Sequence, residues 1–446
     1  MYFKKEVFLI VGLAKSGIAC GKFLLSFGAK CYFYESNAIV KERNLDMVSS
    51  MGGIVIGDLE LDSVLREITT LVLSPGVPID NTIAKKAKSL GKRITGEMEI
   101  GADYIKSPII AVTGTNGKTT SVCMLEHIIN NSNIKAVAVG NIGIPLTSVA
   151  KEIENETLAI TEVSSFQLET CNRILPHIAV ILNITPDHLS RHYTMDNYVF
   201  LKSKLLRNMR ESEYAVLNYD DNVVKVFSDK TRAKIIYFSI KEKVNGAYLD
   251  NGGLFFKEEK IINESELSIK GVHNVQNALA CIAVCKTLGI DNELISQGLK
   301  TFKGAKHRIE FVKEYKGVEY YNDSKSTNPD ATIKAIETMS KPINLLLGGK
   351  DKGLDYREIM NSLKGKNISS ICLYGETRFK MLESARQVGL EKISLTEDMV
   401  TATKLASLKA KQGSCVLLSP ACSSFDEFSG YEERGEKFIE TVNGLI

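Results

Sequence analysis

An apolar run that ends in a glycine-rich turn, residues 109–120, constrains the fold of this chain most. Ile109–Thr113 has the composition of a buried strand, and apolar residues recur at helical spacing after the turn. Gly114 and Gly117 allow the backbone to curl so that successive N–H groups point at one anion, at a helix N-terminus that also favours negative charge. The segment therefore predicts a strand, a phosphate-binding loop and a helix, in that order.

The residues after the second glycine fit this chemistry. Lys118 adds a full positive charge for the outer phosphates of a nucleotide, and the hydroxyl of Thr119 can bind Mg²⁺. Val112 stands where the full phosphate-binding pattern has its first glycine, so the motif is a shortened variant. The alternative is an ordinary strand, turn and helix without a ligand, but the flanking elements favour nucleotide binding.

Length and charge limit the class of protein. The 446 residues exceed what one hydrophobic core organises, so about two to three domains are expected. A net charge of only +3 leaves no broad positive surface for nucleic acid and favours small molecules as partners. The sequence has no signal peptide and no apolar run long enough to span a membrane, which predicts a cytoplasmic protein without membrane insertion. The nine cysteines include no C-x-x-C pair, so a zinc ribbon is not supported. Cys281 and Cys285 are expected to be buried thiols and not metal ligands.

The beginning of the chain has a dinucleotide-binding pattern. Val7–Val11 is an apolar strand, the turn 12–17 follows it, and the next strand, Lys30–Tyr34, ends at Glu35. Ala14 replaces the middle glycine of the usual turn, and Glu35 stands where an acid would bind a ribose. The turn could bind the pyrophosphate of a nucleotide sugar, or it could hold no ligand.

Polar side chains follow the strands of the middle part of the chain. Asn141 follows the strand 136–139, Glu162 ends another strand, and His188 follows a third. If this sheet is parallel, the strand ends meet beside the phosphate-binding loop, where an acid and a histidine suit a Mg²⁺ site. The alternatives are that Glu162 caps a helix and that His188 is an ordinary loop residue.

Two pairs of residues in the same part leave their roles open. From the residues alone, Lys202 and Lys204 are expected on the solvated side of a helix. Asn274 and Asn277 lie where another helix opens, and they could hydrogen-bond a purine or cap that helix.

The last part of the chain begins near Ala305 and again alternates apolar strands with polar loops, which predicts another open α/β sheet. Arg308, Lys325 and Lys352 would give this sheet a cationic edge that binds anions. The alternative is ordinary surface charge on the loops.

Together these motifs resemble the Mur ligase family across the whole chain. Residues 114–120 resemble its shortened phosphate-binding loop, residues 162–169 its metal-binding strand end, and residues 323–328 the signature of its C-terminal domain. The resemblance implies an α/β fold with three domains. These are a Rossmann-like UDP-substrate-binding domain over 1–95, a central P-loop ATPase-type domain over 96–304, and a C-terminal dinucleotide-fold-like, amino-acid-binding domain over 305–446.

Within the family, residues 12–17, 419–428 and 431–435 resemble the members that add D-glutamate to UDP-N-acetylmuramoyl-L-alanine. The resemblance implies an ATP-dependent amide ligase of peptidoglycan precursor synthesis that works through an acyl phosphate. ATP is then a co-substrate, two Mg²⁺ ions are the cofactors, and the expected partners of a monomeric chain are these small-molecule substrates.

The resemblance also implies site residues by motif position. ATP-binding residues are expected at Gly114, Thr115, Asn116, Gly117, Lys118, Thr119, Thr120, Asn274, Asn277, Arg308 and Asp323. UDP-substrate-binding residues are expected at Lys15, Ser16, Glu35, Ser74, Asn141 and Gln167. Amino-acid-binding residues are expected at His307, Lys325, Thr327, Lys352, Ser424 and Phe425. The expected catalytic residues are Lys118, Glu162, His188 and Lys202, and the expected metal ligands are Thr119, Glu162, His188 and Lys202.

The chain departs from the family pattern in two places. Lys306 stands where such ligases often have a proline, which bears on the stiffness of a hinge. The segment 188–202 aligns only with a one-residue gap, so Lys202 competes with Lys204; Lys202 is preferred because it follows Tyr198 by four residues. The resemblance implies that Lys202 is carbamylated, which would offer Mg²⁺ the oxygen ligands that it prefers.

Two other classes of protein are compatible with parts of the sequence. A nicotinamide-dependent oxidoreductase would use the turn 12–17 and Glu35, but it leaves the phosphate-binding loop unexplained. A regulatory ATP-binding protein would keep Lys118, but it has no use for residues 323–328.

Overall fold

A computed structural model describes residues 3–351 and 356–445 of the chain. The chain forms two compact units, one that ends at Phe302 and one that begins at Lys303. In the described residues, the first unit contains two β-sheets and the second contains one. Every sheet is flanked by helices, as the predicted α/β fold requires.

The first sheet is parallel throughout and has the strand order β3-β2-β1-β4-β5. Its strands are β1 (Val7–Val11), β2 (Lys30–Tyr34), β3 (Ile54–Val55), β4 (Thr70–Leu73) and β5 (Arg93–Thr95). The connecting helices are α1 (Lys15–Leu25), α2 (Ala38–Ser50), α3 (Leu61–Glu67) and α4 (Thr82–Ser89). Phe8 and Ile10 pack into one core and Leu9 and Val11 into another. Burial on both faces explains why these strands are apolar without alternation.

The second sheet has the order β14-β13-β12-β11-β10-β9-β6-β8-β7. Its strands are β6 (Ile109–Thr113), β7 (Ala136–Gly140), β8 (Leu158–Glu162), β9 (Ile178–Ile181), β10 (Tyr214–Asn218), β11 (Lys234–Ser239), β12 (Gly246–Asp250), β13 (Gly253–Phe256) and β14 (Glu259–Asn263). The helices of this part are α5 (Glu97–Tyr104), α6 (Lys118–Asn130), α7 (Leu146–Val149), α8 (Ser165–Thr170), α9 (Leu189–His192), α10 (Met195–Ser203), α11 (Asn222–Lys225), α12 (Val272–Thr287) and α13 (Asn292–Thr301). Short 3₁₀ turns span Lys204–Leu206, Val226–Lys230 and Glu264–Glu266.

The pairing of the central strands positions the candidate site. β6 pairs in parallel with β8 on one side and with β9 on the other. The sheet is parallel here, the condition under which the sequence predicts that the strand ends meet, and the carboxyl ends of the three strands therefore lie at one edge. At the far end of the sheet, β13 pairs antiparallel with both β12 and β14, and the other described pairs of this sheet are parallel.

The second unit contains a mixed sheet with the order β15-β16-β20-β17-β18-β19, in which the β15–β16 pair is antiparallel and the other pairs are parallel. Its strands are β15 (Glu310–Tyr315), β16 (Val318–Asn322), β17 (Ile343–Gly348), β18 (Ile368–Tyr374), β19 (Ile393–Leu395) and β20 (Cys415–Ala421). Its helices are α14 (Pro329–Thr338), α15 (Arg357–Ser362), α16 (Arg378–Gln387), α17 (Met399–Lys409) and α18 (Tyr431–Asn443). The predicted open α/β sheet is confirmed.

The nine cysteines are free thiols, and all except Cys123 are buried. Cys281 and Cys285 are fully buried on α12, as predicted from the sequence. Burial raises the pKa of the Cys31 and Cys415 thiols to about 12. Within the described residues, no helix has the length and apolar character needed to cross a membrane.

The contact of α1 with β2 depends on a glycine. A Cβ atom added at Gly21 would lie 2.2 Å from Cζ of Phe33, a fully buried residue. Gly21→Val is therefore expected to lower the free energy of unfolding by about 1–3 kcal/mol through overpacking. Calorimetric thermal midpoints of the variant and the parent chain measure this loss.

Gly76→Val is the matched control, because a Cβ atom at Gly76 would meet nothing within 4 Å. Equal thermal midpoints for the two variants would contradict the packing of α1 described here.

Candidate active site

The loop between β6 and α6 has the backbone of a phosphate-binding loop. Gly114 has φ of 159° and Gly117 has φ of 84°, conformations that other residues rarely adopt. A Cβ atom at Gly117 would lie 2.3 Å from Oδ1 of Asn277, so α12 approaches this glycine closely. Among the described side chains none caps α6, and the N-terminus of a helix favours an anion.

The end of β9 holds this loop in place. The carbonyl of Asn183 accepts from Thr115 N at 2.9 Å, and its side-chain oxygen accepts from Asn116 N at 2.9 Å. The Asn183 amide also donates to the Asn116 carbonyl at 3.2 Å, and the Tyr198 hydroxyl lies 3.1 Å from Oγ1 of Thr115. The sequence interpretation gave no role to Asn183, although its place after a strand beside β6 is the signal that could have identified it.

Two lysines converge on one carbonyl of the loop. Lys118 Nζ donates to the carbonyls of Gly114 and Thr115, both at 2.8 Å. Lys202 Nζ donates to the same Gly114 carbonyl at 2.8 Å. Burial, with the charge of Lys118 as a smaller cause, lowers the pKa of Lys202 well below its usual range. This environment therefore disfavours the charged form of the Lys202 amine.

The expectation that Lys202 and Lys204 face solvent is wrong, since they are only 1% and 7% exposed. Lys204 donates to the carbonyls of Leu168 and Glu169 at the end of α8. The helix α10 packs against α8, and the chain then tightens into a 3₁₀ turn that begins at Lys204. Lys202 reaches the loop, whereas Lys204 supports α8.

Glu162 is the last residue of β8 and is 1% exposed. Its carboxylate accepts from Oγ1 of Thr119 at 2.8 Å and from Nδ2 of Asn141 at 2.8 Å. The alternative that Glu162 caps a helix is wrong, because Ser164 caps α8 and forms a capping box with Gln167. The carboxylate thus joins the first turn of α6 to the turn after β7.

His188 opens α9 with a left-handed backbone, φ 54°. Its side chain is 43% exposed, lies 3.5 Å from the Asp187 carboxylate and has its ring 4.7 Å from the ring of Phe166. In the described part of the chain no three His, Cys, Asp or Glu side chains gather as a metal-binding cluster. The Thr119 hydroxyl and the Glu162 carboxylate, whose oxygens lie 2.8 Å apart, offer the oxygen donors that suit Mg²⁺.

The start of α12 also faces the loop. Asn277 is 4% exposed and donates to Oδ1 of Asn274 at 3.3 Å. Asn274 in turn donates to the Lys270 carbonyl at 2.8 Å. The structure therefore brings Asn277 to the backbone of Gly117, and Thr120 is buried in the first turn of α6.

The predicted residues of the first sheet lie around the turn after β1. The Glu35 carboxylate accepts from Leu13 N at 2.9 Å, and the Ser74 hydroxyl donates to the Gly12 carbonyl at 2.8 Å. Both side chains therefore support the turn itself. The first two residues of α1 lie at this turn and have no side-chain cap among the described residues: Lys15 and Ser16.

A second group of predicted residues lies in the unit that begins at Lys303. Asp323 follows β16, is fully buried and accepts from the Ser419 hydroxyl at 2.7 Å. Burial raises the pKa of Asp323 to about 6, although the nearby charge of Arg308 opposes this shift. His307 is buried with Nδ1 2.9 Å from the Asn322 amide, and burial lowers its pKa.

The predicted amino-acid-binding residues of this unit have different surroundings. Ser424 is 2% exposed, Thr327 is half-buried, and the Phe425 ring is 67% exposed. The ring of Tyr431 lies 5.4 Å from Nζ of Lys325 and 6.1 Å from the His307 ring, a neighbourhood that the sequence interpretation missed. Lys352 lies outside the described residues.

A parallel sheet whose strand ends surround a glycine-rich loop, a lysine and a buried carboxylate defines a phosphate-binding α/β protein. Family models match the chain in three segments: the N-terminal domain of MurD-like Mur ligases over 6–96, the Mur ligase middle domain over 112–285, and the Mur ligase glutamate ligase domain over 307–422. The chain belongs to the Mur ligase family.

Similar proteins extend over the whole chain. UDP-N-acetylmuramoylalanine--D-glutamate ligases of Caldanaerobacter subterraneus and Clostridioides difficile are each 41% identical to it, with all of both chains covered. The structure of UDP-N-acetylmuramate-alanine ligase MurC from Thermotoga maritima has a TM-score of 0.62 at 18% identity and covers 98% of this chain and 99% of its own. MurF ligase from Thermotoga maritima in complex with ADP has a TM-score of 0.58 at 16% identity, with 92% and 94% covered. At these identities the two structures support the fold alone.

The burial of Lys204 has a testable consequence for stability. Lys204→Ala leaves the carbonyls of Leu168 and Glu169 without this donor, so the free energy of unfolding is expected to fall by about 1–3 kcal/mol. Thermal denaturation followed by circular dichroism gives the difference. Lys85→Ala, at an exposed position of α4, serves as the control, and a midpoint for Lys204→Ala equal to that of the control would refute the burial of this lysine.

Proposed function

We propose that this chain is an ATP-dependent ligase that joins D-glutamate to UDP-N-acetylmuramoyl-L-alanine in peptidoglycan precursor synthesis. The observation that carries the proposal is the full-length similarity, at 41% identity, to ligases named for this reaction. The phosphate-binding loop between β6 and α6 supplies the matching local chemistry. The chain is proposed to act as a monomer in the cytoplasm, where ATP is available.

The proposed domains divide the work. A UDP-substrate-binding domain spans 1–95, a central ATP-binding domain spans 96–304, and an amino-acid-binding domain spans 305–446. The family models over 112–285 and 307–422 fall within these bounds, and the model over 6–96 passes the first bound by one residue, which supports the division. The turn between β1 and α1 is the proposed site of the UDP group, because the first N–H groups of α1 point there.

The chemistry follows from the poor reactivity of a carboxylate towards an amine. In the first step a carboxylate oxygen of UDP-N-acetylmuramoyl-L-alanine attacks the γ-phosphorus of ATP, and ADP leaves. In the second step the amine of D-glutamate attacks the carbonyl carbon of the acyl phosphate, phosphate leaves, and the amine loses a proton. Phosphoryl transfer depends mainly on positioning and charge stabilisation.

The loop residues are proposed to supply that stabilisation. Lys118, which now donates to loop carbonyls, would turn its ammonium towards the transferring phosphoryl group. The proposed Mg²⁺ ligands are Thr119, Glu162, His188 and carbamylated Lys202. Two bound Mg²⁺ ions would neutralise phosphate charge. The proposed contacts of the nucleotide beyond the loop are Asn274, Asn277, Arg308 and Asp323.

The surroundings of Lys202 support its carbamylation. Only a neutral amine adds to carbon dioxide, and burial beside Lys118 favours the neutral form. The nitrogen bonds to the carbon of CO₂ and releases one proton, which gives an anionic carbamate. This anion would offset the charge of Lys118 and present oxygen atoms to a hard cation.

The remaining substrate contacts are also proposed from motif positions. Asn141 and Gln167, with Lys15, Ser16, Glu35 and Ser74, are the proposed contacts of the UDP-linked substrate. The proposed contacts of D-glutamate are His307, Lys325, Thr327, Lys352, Ser424 and Phe425. A buried dicarboxylate needs charge-assisted hydrogen bonds, which lysine and hydroxyl groups can provide.

Phosphate release tests the proposed reaction directly. Phosphate release from Mg-ATP is expected only when UDP-N-acetylmuramoyl-L-alanine and D-glutamate are both present. With L-glutamate or another amino acid in place of D-glutamate, the rate of release should be lower by about 100-fold or more. Lys118→Ala is expected to lower turnover by about 100- to 1000-fold with little change in thermal midpoint. Release that does not depend on an amino acid would favour a regulatory ATPase, and NAD(H) binding seen by fluorescence would favour an oxidoreductase.

The carbamate has its own test. Lys202→Ala is expected to be nearly inactive and to regain part of its activity with short-chain carboxylic acids. The parent chain is expected to lose activity when bicarbonate is removed. A carbonyl signal from ¹³C-labelled bicarbonate, present in the parent and absent in the variant, identifies the group by NMR. Lys204→Ala, assayed below its midpoint, is the control; a fully active Lys202→Ala protein would refute the carbamate.

A further inference from the structure

Arg191 joins the segment that carries His188 to a loop of the first sheet. Its guanidinium donates to the Val77 carbonyl at 2.8 Å, to the Gly76 carbonyl at 3.3 Å and to the Pro75 carbonyl at 3.5 Å. The loop 75–77 follows β4 at its carboxyl end, next to Ser74, which supports the turn after β1. One side chain therefore contacts three successive carbonyls of a strand-end loop.

A buried carboxylate fixes the orientation of this guanidinium. Arg191 donates from Nε at 2.9 Å and from Nη2 at 2.6 Å to the two oxygens of Glu169, and the side chains are 16% and 6% exposed. His192 Nδ1 lies 3.3 Å from the same carboxylate, and its Nε2 lies 2.9 Å from the Ser165 hydroxyl. The planar guanidinium also lies 5.3 Å from the centre of the Phe166 ring. Arginine fits this place because its donors form a rigid planar fork, which lysine lacks.

The backbone of the same segment, residues 188–193, has an unusual shape. His188 and Tyr193, at its two ends, both have positive φ, 54° and 66°. The Tyr193 hydroxyl donates to the Asp80 carboxylate at 2.6 Å, which adds a second contact with the loop region after β4. Residues other than glycine keep such backbone angles only when the surrounding structure imposes them. Arg191 and Tyr193 tie this segment to the loop region after β4.

We propose that Arg191 is a positioning residue for the UDP-linked substrate. By fixing the loop 75–77 against Glu169 of α8, it sets the place of the UDP-binding turn relative to His188 and Glu162. It thereby sets the place of the reacting carboxylate relative to the phosphoryl group. This inference rests on the proposed function. It assigns Arg191 and Glu169 a role in aligning the UDP-linked substrate and no role in binding the nucleotide.

Steady-state kinetics and nucleotide binding together test the assignment. Arg191→Met is expected to raise the KM for UDP-N-acetylmuramoyl-L-alanine by about tenfold or more and to lower kcat, because small displacements of a substrate are costly. The Kd of a fluorescent ATP analogue should stay within about twofold, since no contact of Arg191 touches the phosphate-binding loop in the described structure. Arg191→Lys should recover only part of the loss. In a double-mutant cycle, Glu169→Gln and Arg191→Met should be strongly non-additive.

Arg173→Met is the matched control. Its guanidinium pairs with Asp103 and lies 3.5 Å from Glu99, so it too is an arginine held by carboxylates, but none of its described guanidinium contacts reaches a strand-end loop. This variant should keep the parent KM. Tyr193→Phe should raise the KM for UDP-N-acetylmuramoyl-L-alanine by about two- to fivefold. If Arg191→Met does not fold, the KM values of Tyr193→Phe and Arg191→Lys test the assignment instead.

If the parent chain is active, two results would overturn the assignment. One is an unchanged KM for UDP-N-acetylmuramoyl-L-alanine in Arg191→Lys and Tyr193→Phe, and the other is a rise in the Kd of the ATP analogue as large as the rise in this KM. A parent chain without turnover on this substrate would instead overturn the proposed function, and this assignment with it.

Discussion

The loop between β6 and α6 can bind an anion only if its shape is held by atoms other than the N–H groups at the start of α6. The parallel pairing of β6 with β8 and β9 meets this requirement, because it brings both neighbouring strand ends to the loop. Asn183 exchanges three hydrogen bonds with Thr115 and Asn116, and Glu162 accepts from Thr119. The sheet register, more than the loop sequence, therefore determines the geometry of the site.

The same arrangement concentrates positive charge. Lys118 and Lys202 donate to one carbonyl, that of Gly114, and one of the two is buried. Two ammonium groups so placed repel each other, and burial makes the cost larger because little water screens them. Loss of a proton from Lys202, which its lowered pKa favours, would remove this repulsion without removing the hydrogen bond. An anion at the loop, whether phosphate or carbamate, would relieve it in another way, which links the electrostatics of the site to its ligands.

Local patterns in the sequence were sufficient for most of the fold. Continuous apolar runs such as Val7–Val11 and Ile109–Thr113 identified buried parallel strands, and the glycine spacing identified the loop. The prediction failed where a side chain's place depends on distant neighbours. Lys204 lies on what looks like a solvated helix, yet α8 covers it.

The candidate site shows the same limit. Asn183 and Arg191 carry no motif of their own, and their contacts are fixed by which strands and loops become neighbours, a property of the folded chain. Tyr431, from α18, meets Lys325 from the loop after β16, more than a hundred residues earlier in the chain. Sequence spacing indicates which residues share an element, but contacts between elements need the topology.

The reactivity of the buried thiols reports local unfolding of the chain. The thiolate is the form that reacts with alkylating reagents, and a thiol with a pKa of about 12, such as Cys31 or Cys415, is almost wholly protonated at neutral pH. Reaction therefore waits for a local unfolding event that exposes the sulfur to water. Cys281 and Cys285 belong to the unit that ends at Phe302, and Cys415 to the unit that begins at Lys303. Mass spectra of timed alkylation would thus read the opening rate of each unit separately in the unaltered chain.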